Sequence, residues 1–242
     1  MKKILVFSDT HGDFDKMYYK ALKNNADIIL HCGDLIALKD SYDLYNFLKL
    51  ESSHFFSKSH NLILSRLEYK KYFDKNEVPI PTYFISGNHE NFIDLHQYTE
   101  GPVKIINNLF YIGKYAIFQI DNFTIAGLSG VYSNKIYNNS IYWNNLAFAG
   151  YFTKQSVQNL INKSKEYNKI DVLLLHESPY LQYNQFEDNK YIGAKIIDEL
   201  ISEINPKIVF VGHMHINLQL NYKNTKIIYI DYNDFINLNQ FL

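Results

Sequence analysis

Short apolar runs alternate along this chain with longer stretches that mix apolar and polar residues at helical spacing. Runs of five or six residues that are rich in Ile, Leu, Val and Phe are typical of buried strands. An alternation of such strands with amphipathic helices predicts an α/β fold. The predicted strands that end in polar residues are residues 2–7, 27–32, 82–86, 171–175 and 207–211.

The rest of the pattern predicts helices and two further groups of strands. A proline disfavours helix in the residue before it, so the third helix is expected to end before Pro79. Thr153 is a suitable N-cap for the fourth helix. Residues 109–129 contain three apolar segments, which predict an antiparallel meander in a second sheet, and residues 216–232 predict two closing strands with a turn at residues 223–224. The predicted helices are residues 13–24, 41–50, 62–73, 153–167 and 193–204.

A cluster of His, Asp or Asn residues follows each of the five predicted strands. With a side-chain period of two, Asp9 and His11 project to the same side and can face one metal ion. Gly33 permits a tight turn that places Asp34 at a strand tip, and the two oxygens of this carboxylate can bridge two ions. Ligands of open α/β sheets bind outside the carboxyl ends of the strands, where all these clusters fall. The other candidate residues are Asn88, His89, Glu90, His176, His213 and His215.

The order of these clusters, D-x-H, G-D, G-N-H-E, H and G-H-x-H, resembles the motif pattern of the calcineurin-like metallophosphoesterase superfamily at every position. The resemblance implies an α/β fold built as a four-layer α-β-β-α sandwich, in which two mixed sheets are flanked by helices. It also implies two divalent metal ions. Oxygen and nitrogen donors without a thiolate suit manganese, iron or zinc, and manganese is the favoured ion.

The same resemblance implies a role for each candidate residue. A hydroxide that bridges the two ions would attack the phosphorus atom, and His89 would protonate the leaving oxygen as general acid. Glu90 would orient His89, and the alternative is a surface residue at the start of a helix. The implied ligands of the first ion are Asp9, His11, Asp34 and His215, and those of the second are Asp34, Asn88, His176 and His213, with Asp34 as the bridge.

A finer resemblance, to the catalytic domain of RNA lariat debranching enzymes, extends over roughly residues 1–215. The chain differs from those enzymes at Asp9, where they often have Cys, and at residues 177–178, where they tend to have Asp and Trp. The segments that carry the resemblance occur in the same order there and are residues 68–73, 78–90, 111–113 and 125–132.

The segment between the second and third clusters, about residues 35–81, matches the lariat-recognition loop of that family. The resemblance therefore implies an insertion that recognises substrate. Aromatic residues interleaved with basic ones can stack on bases and contact phosphates, whereas the alternative is an ordinary amphipathic helix with solvated lysines. The residues concerned are Lys58, Arg66, Lys70, Lys71 and Lys75 together with Phe55, Phe56, Tyr69, Tyr72 and Phe73.

Composition limits the class of protein. With 242 residues, 47% of them hydrophobic, and no long linker or repeat, a single domain over residues 1–242 is expected. Cys32 is the only cysteine, which excludes a disulfide within the chain and predicts a buried thiol. No apolar run reaches about 18 residues and no signal-peptide core follows Met1, so we expect a cytoplasmic protein without a membrane partner. The net charge of −1 does not by itself indicate a nucleic-acid partner.

Three functions fit these residues, and we expect the first. It is a two-metal phosphodiesterase that acts on a nucleic-acid or nucleotide diester, with 2′,5′-branched RNA as one specific substrate. The second is a phosphomonoesterase, including a protein phosphatase, although such phosphatases have Arg where this chain has Ser86. The third is a non-catalytic scaffold, which has typically lost residues that this chain retains. The expected partner is a phosphoester substrate, RNA or a nucleotide, and the sequence indicates no oligomeric state.

Overall fold

The structure, a computed structural model, describes residues 1–51, 70–139, 146–182 and 191–241. Most of the strands are short, as expected for elements buried between helices. They are β1 (Ile4–Phe7), β2 (Ile28–His31), β3 (Glu77–Phe84), β4 (Glu100–Gly113), β5 (Tyr115–Ile120), β6 (Phe123–Leu128), β7 (Val172–Leu175), β8 (Leu181–Gln182), β9 (Tyr191–Ile192), β10 (Ile208–Val211), β11 (Leu218–Tyr222), β12 (Thr225–Tyr229) and β13 (Phe235–Asn237).

The helices are amphipathic and mostly two to three turns long. Asp13 caps α1 by accepting the backbone N–H of Lys16, and Thr153 caps α6 as predicted, in a reciprocal pair with Ser156. Within the described ranges no helix is both long and apolar enough to cross a membrane. The helices are α1 (Phe14–Lys23), α2 (Ser41–Glu51), α3 (Lys70–Asp74), α4 (Phe92–Leu95), α5 (Asn134–Tyr137), α6 (Lys154–Ser164) and α7 (Lys195–Ile204).

Eleven of the strands form one mixed sheet in the order β11-β12-β10-β7-β6-β5-β4-β3-β2-β1-β13. Strands β1, β2, β3 and β4 pair in parallel with one another in that order, and β6, β7, β10 and β12 form a second parallel set. The pairs β5–β6, β11–β12 and β1–β13 are antiparallel. A bridge between Glu100 and Tyr115 joins the two halves of the sheet.

The sheet curls so that its two halves face each other across a shared core. Val6 of β1 lies in the same inner cluster as Leu174 of β7. The next residues, Phe7 and Leu175, point the other way, into outer clusters that include residues of α1 and of α6 and α7 respectively. The order helix, sheet, sheet, helix is the predicted four-layer sandwich. One detail differs from the prediction, since the two layers of strands are halves of a single hydrogen-bonded sheet.

Most predicted elements are present, and the main correction concerns β4. The predicted antiparallel meander over residues 109–129 is right for β5 and β6 but wrong for its first strand. That strand starts at Glu100, well before the apolar run, and pairs in parallel with β3. Its early part alternates between exposed and half-buried residues. The pairing with β3 begins at Asn107, and Glu100 pairs with Tyr115 of β5. Of the predicted helix over residues 62–73, only residues 70–73 lie within the described ranges, in α3.

The described part of the basic and aromatic stretch packs against the fold. Tyr72 and Phe73 contact the outer core cluster around α1. The Tyr72 hydroxyl donates to Asp15 Oδ1 at 2.6 Å, and the Lys71 ammonium pairs with Asp15 Oδ2 at 2.5 Å. The two rings pack as the amphipathic-helix interpretation expects, and the role of the stretch in substrate recognition stays a prediction. Residues 55–69 of the stretch lie outside the described ranges.

Asp171 gives the fold a pH-dependent contribution to stability. Its buried carboxylate accepts the backbone N–H of Thr124 at 3.0 Å and lies 3.1 Å from the ammonium groups of Lys169 and Lys207. Burial raises the pKa of Asp171, but these partners outweigh burial and hold the pKa below its usual value. A carboxyl whose pKa is lowered by folding stabilises the protein above its unfolded pKa of about 4 and loses that effect as the pH falls.

We therefore expect Asp171→Asn to be less stable than the wild type at pH 7, by about 1 kcal/mol, because the amide keeps the Thr124 hydrogen bond but not the charge. Chemical denaturation at pH 7 and at a pH well below the lowered pKa of Asp171 measures this difference. It should vanish at the lower pH, since the other titrating groups are common to both proteins. A difference that persists at low pH would contradict an electrostatic origin.

Candidate metal centre

The five polar clusters meet at one edge of the sheet because parallel strands present their carboxyl ends together. Backbone hydrogen bonds tie neighbouring loops: the His11 N–H donates to the carbonyl of Asp34 at 2.8 Å, and the Asp9 N–H donates to the carbonyl of Gly33 at 3.1 Å. The structure brings together all the residues predicted as ligands, which are Asp9, His11, Asp34, Asn88, His176, His213 and His215.

Three side chains predicted for the first ion form a tight group. His215 Nε2 lies 3.2 Å from Asp9 Oδ1 and 3.4 Å from His11 Nε2. His11 Nε2 lies 3.9 Å from Asp9 Oδ1 and 3.9 Å from Asp34 Oδ2. The ligand atoms of Asp9, His11 and His215 all lie within 4.8 Å of one another, a spacing that allows one ion to contact all three.

A second group lies on the other side of Asp34. His176 Nε2 is 3.4 Å from Asp34 Oδ2 and 3.2 Å from Asn88 Oδ1, and its ring centroid is 5.0 Å from that of His213. Asp34 Oδ2 therefore faces an imidazole of each group. This is the position that the sequence predicts for a bridging carboxylate, and the oxygen and nitrogen donors fit two hard or borderline cations.

The tautomer of His176 suits a metal ligand. Its Nδ1 lies 2.7 Å from the carbonyl oxygen of Cys32. A carbonyl can only accept, so Nδ1 carries a proton, and Nε2, which points toward Asp34 and Asn88, is the nitrogen that would bind a metal ion in place of its own proton. The Cys32 thiol is buried, as predicted. Cys32, directly after β2, thus contributes to the site through its backbone.

The site strongly favours positive charge. Burial raises the pKa of Asp34, but the charge of His176 outweighs burial and holds that pKa well below its usual range. Burial lowers the pKa of His176, but the charge of Asp34 and its hydrogen bond raise it to about 10. Burial and the charge of His176 lower the pKa of His213 to about 4, which leaves that imidazole neutral. The field that attracts a proton to this point also attracts a metal cation.

Strained backbone marks the same residues. Non-glycine residues seldom adopt positive φ, and such conformations cost on the order of 1–3 kcal/mol each unless the surroundings impose them. Here the hydrogen bonds between loops impose sharp turns at the strand ends, which direct the side chains to a common point. The predicted ligands in this conformation are Asp9 (φ 50°), His11 (47°), Asp34 (56°), His213 (66°) and His215 (50°).

The sequence also matches a known family model, that of the calcineurin-like phosphoesterases, over residues 2–217. The chain belongs to this family. The predicted enzyme class, a metal-dependent hydrolase of phosphoester bonds, is thereby confirmed at the level of the family.

The curated relatives of this phosphoesterase include lariat debranching enzymes. The enzyme of Schizosaccharomyces pombe is 26% identical over 228 residues, which are 85% of this chain and 46% of the relative. The enzyme of Homo sapiens is 22% identical over 240 residues, which are 88% of this chain and 42% of the relative. The chain thus spans about half of the length of these relatives or less.

Solved structures share the fold of this phosphoesterase. A protein of Thermus thermophilus superimposes with a TM-score of 0.61 at 14% identity, covering 100% of this chain and 96% of that one. A dimetal phosphatase from Danio rerio has a TM-score of 0.51 at 10% identity, covering 96% of this chain and 88% of that one. At such identities these structures support the fold alone.

His89 and Glu90 lie beside the ligands of this phosphoesterase. The backbone N–H of His89 donates to Asp34 Oδ1 at 2.8 Å, and its ring centroid is 6.0 Å from that of His11. Glu90 is only 1% exposed, so its interpretation as a surface residue is wrong. Its two oxygens accept the backbone N–H groups of Leu35 and Ile36, each at 2.8 Å. Glu90 thus holds the loop that follows Asp34, and its orientation of His89 stays a prediction.

One supporting residue of the phosphoesterase site was missed by sequence reasoning. His31 is fully buried in β2, where its Nδ1 accepts the Gly33 N–H at 3.2 Å and its Nε2 lies 2.6 Å from the Thr10 hydroxyl. Burial lowers the pKa of His31 to about 3, so the ring is neutral. It links the loop after β1 to the loop after β2. A lone histidine within an apolar run was the only sequence signal for this role.

Gly87 makes the close packing of the phosphoesterase site possible. A Cβ at this position would lie 2.5 Å from His176 Nε2 and closer still to Asp34 Oδ1. We expect Gly87→Ala to displace one of these side chains and to weaken metal binding by about 10- to 100-fold, the usual effect of disturbing ligand orientation. Metal titration followed by calorimetry measures this change, and a circular dichroism spectrum like that of the wild type checks the fold. Unchanged metal affinity would contradict the close contact.

Proposed function

We propose that this chain is a two-metal phosphodiesterase that hydrolyses nucleic-acid or nucleotide diesters, with 2′,5′-branched RNA as its specific substrate. The observation that carries the proposal is the placement of the two ligand groups around Asp34. Asp34 Oδ2 faces His11 at 3.9 Å and His176 at 3.4 Å, and Asp34 Oδ1 accepts the backbone N–H of His89. Two groups of candidate ligands and the backbone of His89 thus surround one carboxylate.

The chain's own residues would hold the two ions. Asp9, His11 and His215 would bind the first ion and Asn88, His176 and His213 the second, with Asp34 shared. Two bound ions supply an activated water nucleophile and neutralise charge on the phosphoryl group. Manganese is our choice among manganese, iron and zinc, all of which accept such oxygen and nitrogen donors.

His89 would transfer a proton to the leaving oxygen. Its side chain is half-buried, its ring centroid is 6.0 Å from that of His11, and the imidazole would lie beside the bound phosphate. An imidazole titrates near neutral pH and therefore suits general-acid catalysis. Glu90 would support it by fixing the loop after Asp34 and, as the sequence resemblance implies, by orienting His89.

The relatives support a diester substrate. Those named lariat debranching enzymes match 85% to 89% of this chain. We propose that residues 35–81 recognise substrate, as an insertion in a single domain over residues 1–242. Asp43 of α2, which belongs to this segment, accepts the Asn91 side-chain amide at 2.7 Å, and both side chains are buried. Asn91 is two residues after His89. The hydrogen bond therefore fixes the described start of residues 35–81 next to His89 in the chain.

A comparison of model substrates tests the reaction class. We expect kcat/KM with manganese to be higher for bis(p-nitrophenyl) phosphate than for p-nitrophenyl phosphate, since the proposed site acts on diesters. A chelator should abolish both activities, and added manganese should restore them. The opposite preference would make the chain a phosphomonoesterase, and metal-bound protein that is inactive on both substrates would favour a scaffold.

A further inference from the structure

An aromatic residue far along the chain covers the first ligand group. The ring of Tyr232 stacks on that of His11, with centroids 5.6 Å apart and planes 21° from parallel. Its centroid is also 5.9 Å from that of His215. Tyr232 follows β12 and lies outside all five polar clusters. It therefore forms a wall next to the predicted position of the first ion.

The segment that carries Tyr232 is fixed to the end of β1. The backbone N–H of Asn233 donates to the carbonyls of Ser8 at 3.1 Å and Asp9 at 3.3 Å. The Lys20 ammonium donates to the Asn233 carbonyl at 2.6 Å, and Asn233 is fully buried with a positive φ of 49°. Because the residue that follows Tyr232 is held in this way, the position of the ring beside His11 is part of the fold.

A lysine of α1 lies against the same ring. The Lys16 ammonium is 5.9 Å from the centroid of Tyr232, within the range of a cation–π contact. Among the residues that the structure describes, no carboxylate pairs with this ammonium, although several other lysines are paired. The pairs are Lys20 with Asp234, Lys39 with Asp94, and Lys71 with Asp15.

An exposed cation held on an aromatic ring beside a phosphate site can bind a second anion. A small diester has only the scissile phosphate, which the metal ions would neutralise. A polynucleotide has further phosphates on either side, and one of these could reach the Lys16 ammonium. We propose that Lys16 and Tyr232 form a subsite for a phosphate next to the scissile one, so that the enzyme prefers polynucleotides to small diesters. This proposal rests on the proposed function and adds where the substrate strand lies.

Salt-dependent binding of RNA tests the role of Lys16. The experiment uses the His89→Ala variant, in which cleavage of bound RNA would be slow. Fluorescence anisotropy measures Kd for a labelled single-stranded oligonucleotide, with manganese, at several salt concentrations. Loss of one phosphate contact makes the slope of log K against log salt shallower by about 0.7. We expect Lys16→Gln to show this change and a Kd raised about fivefold to tenfold at low salt, and Lys16→Arg to restore the slope.

Lys23→Gln is the matched control. Lys23 is an exposed lysine seven residues further along α1, on nearly the same helix face but about 10 Å away. It should leave the slope unchanged. The subsite would be overturned if Lys16→Gln left the slope of log K against log salt the same as that of the parent with Lys16. It would also be overturned if Lys16→Gln and Lys23→Gln changed the slope equally.

Variants that keep or remove the aromatic ring test the role of Tyr232. Tyr232→Phe should bind RNA like the parent, because the ring still supports Lys16, whereas Tyr232→Leu should weaken binding as Lys16→Gln does. Metal content is measured beside binding, and Tyr232→Leu with RNA binding unchanged would overturn the role of the ring. These experiments measure binding, so their results do not depend on whether the enzyme cleaves the RNA. Failure of the wild type to cleave any diester would refute the proposed function, whereas the slopes alone decide the subsite.

Discussion

His89→Ala is expected to lower kcat on RNA by about 10²- to 10⁴-fold while the bound metal ions are retained. The side chain of His89 is not among the predicted ligands, and its backbone N–H contacts Asp34 at 2.8 Å. Alanine keeps this N–H. The variant should therefore lose a proton donor and keep the metal centre. Quenched-flow cleavage of RNA and metal analysis of the same sample measure both quantities.

The leaving group separates a general acid from a residue that positions substrate. Nitrophenolate is a good leaving group and needs little protonation, so the defect of His89→Ala should be much smaller on bis(p-nitrophenyl) phosphate. His96→Ala is a control, because His96 hydrogen-bonds through Nδ1 to the carbonyls of Phe92 and Ile93. Equal losses of His89→Ala on both substrates would argue against proton transfer by His89.

Asp34→Asn is expected to remove metal and, with it, activity. The Asn side chain has nearly the same shape and can still accept the His89 N–H, so the loops should remain in place. It lacks the negative charge and the second oxygen that face His11 and His176. Mass spectrometry of metal content after dialysis should find less than about half of the wild-type occupancy, because both ions depend on the shared carboxylate.

Asp40→Asn provides a matched control for this variant. Asp40 accepts the backbone N–H groups of Tyr42 and Asp43 at the start of α2, a capping role that Asn fulfils equally well. Its metal content should equal that of the wild type. Full occupancy in Asp34→Asn would contradict the bridging position of Asp34.

The strands and ligand positions could be predicted because their signals are local. A run such as Ile4–Phe7 can form only a buried element, and the polar residues that follow it must lie at its end. Since the strands that carry the clusters run parallel to their neighbours, their ends meet without further information. Asp9 and Asp34 thus come together although the chain between them forms a whole helix and strand.

Other features depend on contacts between distant residues. β4 extends back to Glu100, which pairs with Tyr115 of β5, and its first residues are exposed or half-buried rather than part of an apolar run. Glu90 contacts the backbone of Leu35 and Ile36 rather than solvent, which its sequence neighbours do not indicate. Tyr232 stacks on His11 across most of the length of the chain. These contacts exist only once the sheet has curled.

Cleavage of a labelled RNA with a single 2′,5′-branch, in the presence of manganese, tests the proposed function most directly. The products are resolved so that the broken bond is identified, and His89→Ala is assayed beside the wild type. We predict scission at the branch, with the linear backbone intact and a rate at least about 100-fold lower for the variant. A branch that stays intact while the linear backbone or only monoesters are hydrolysed would contradict it.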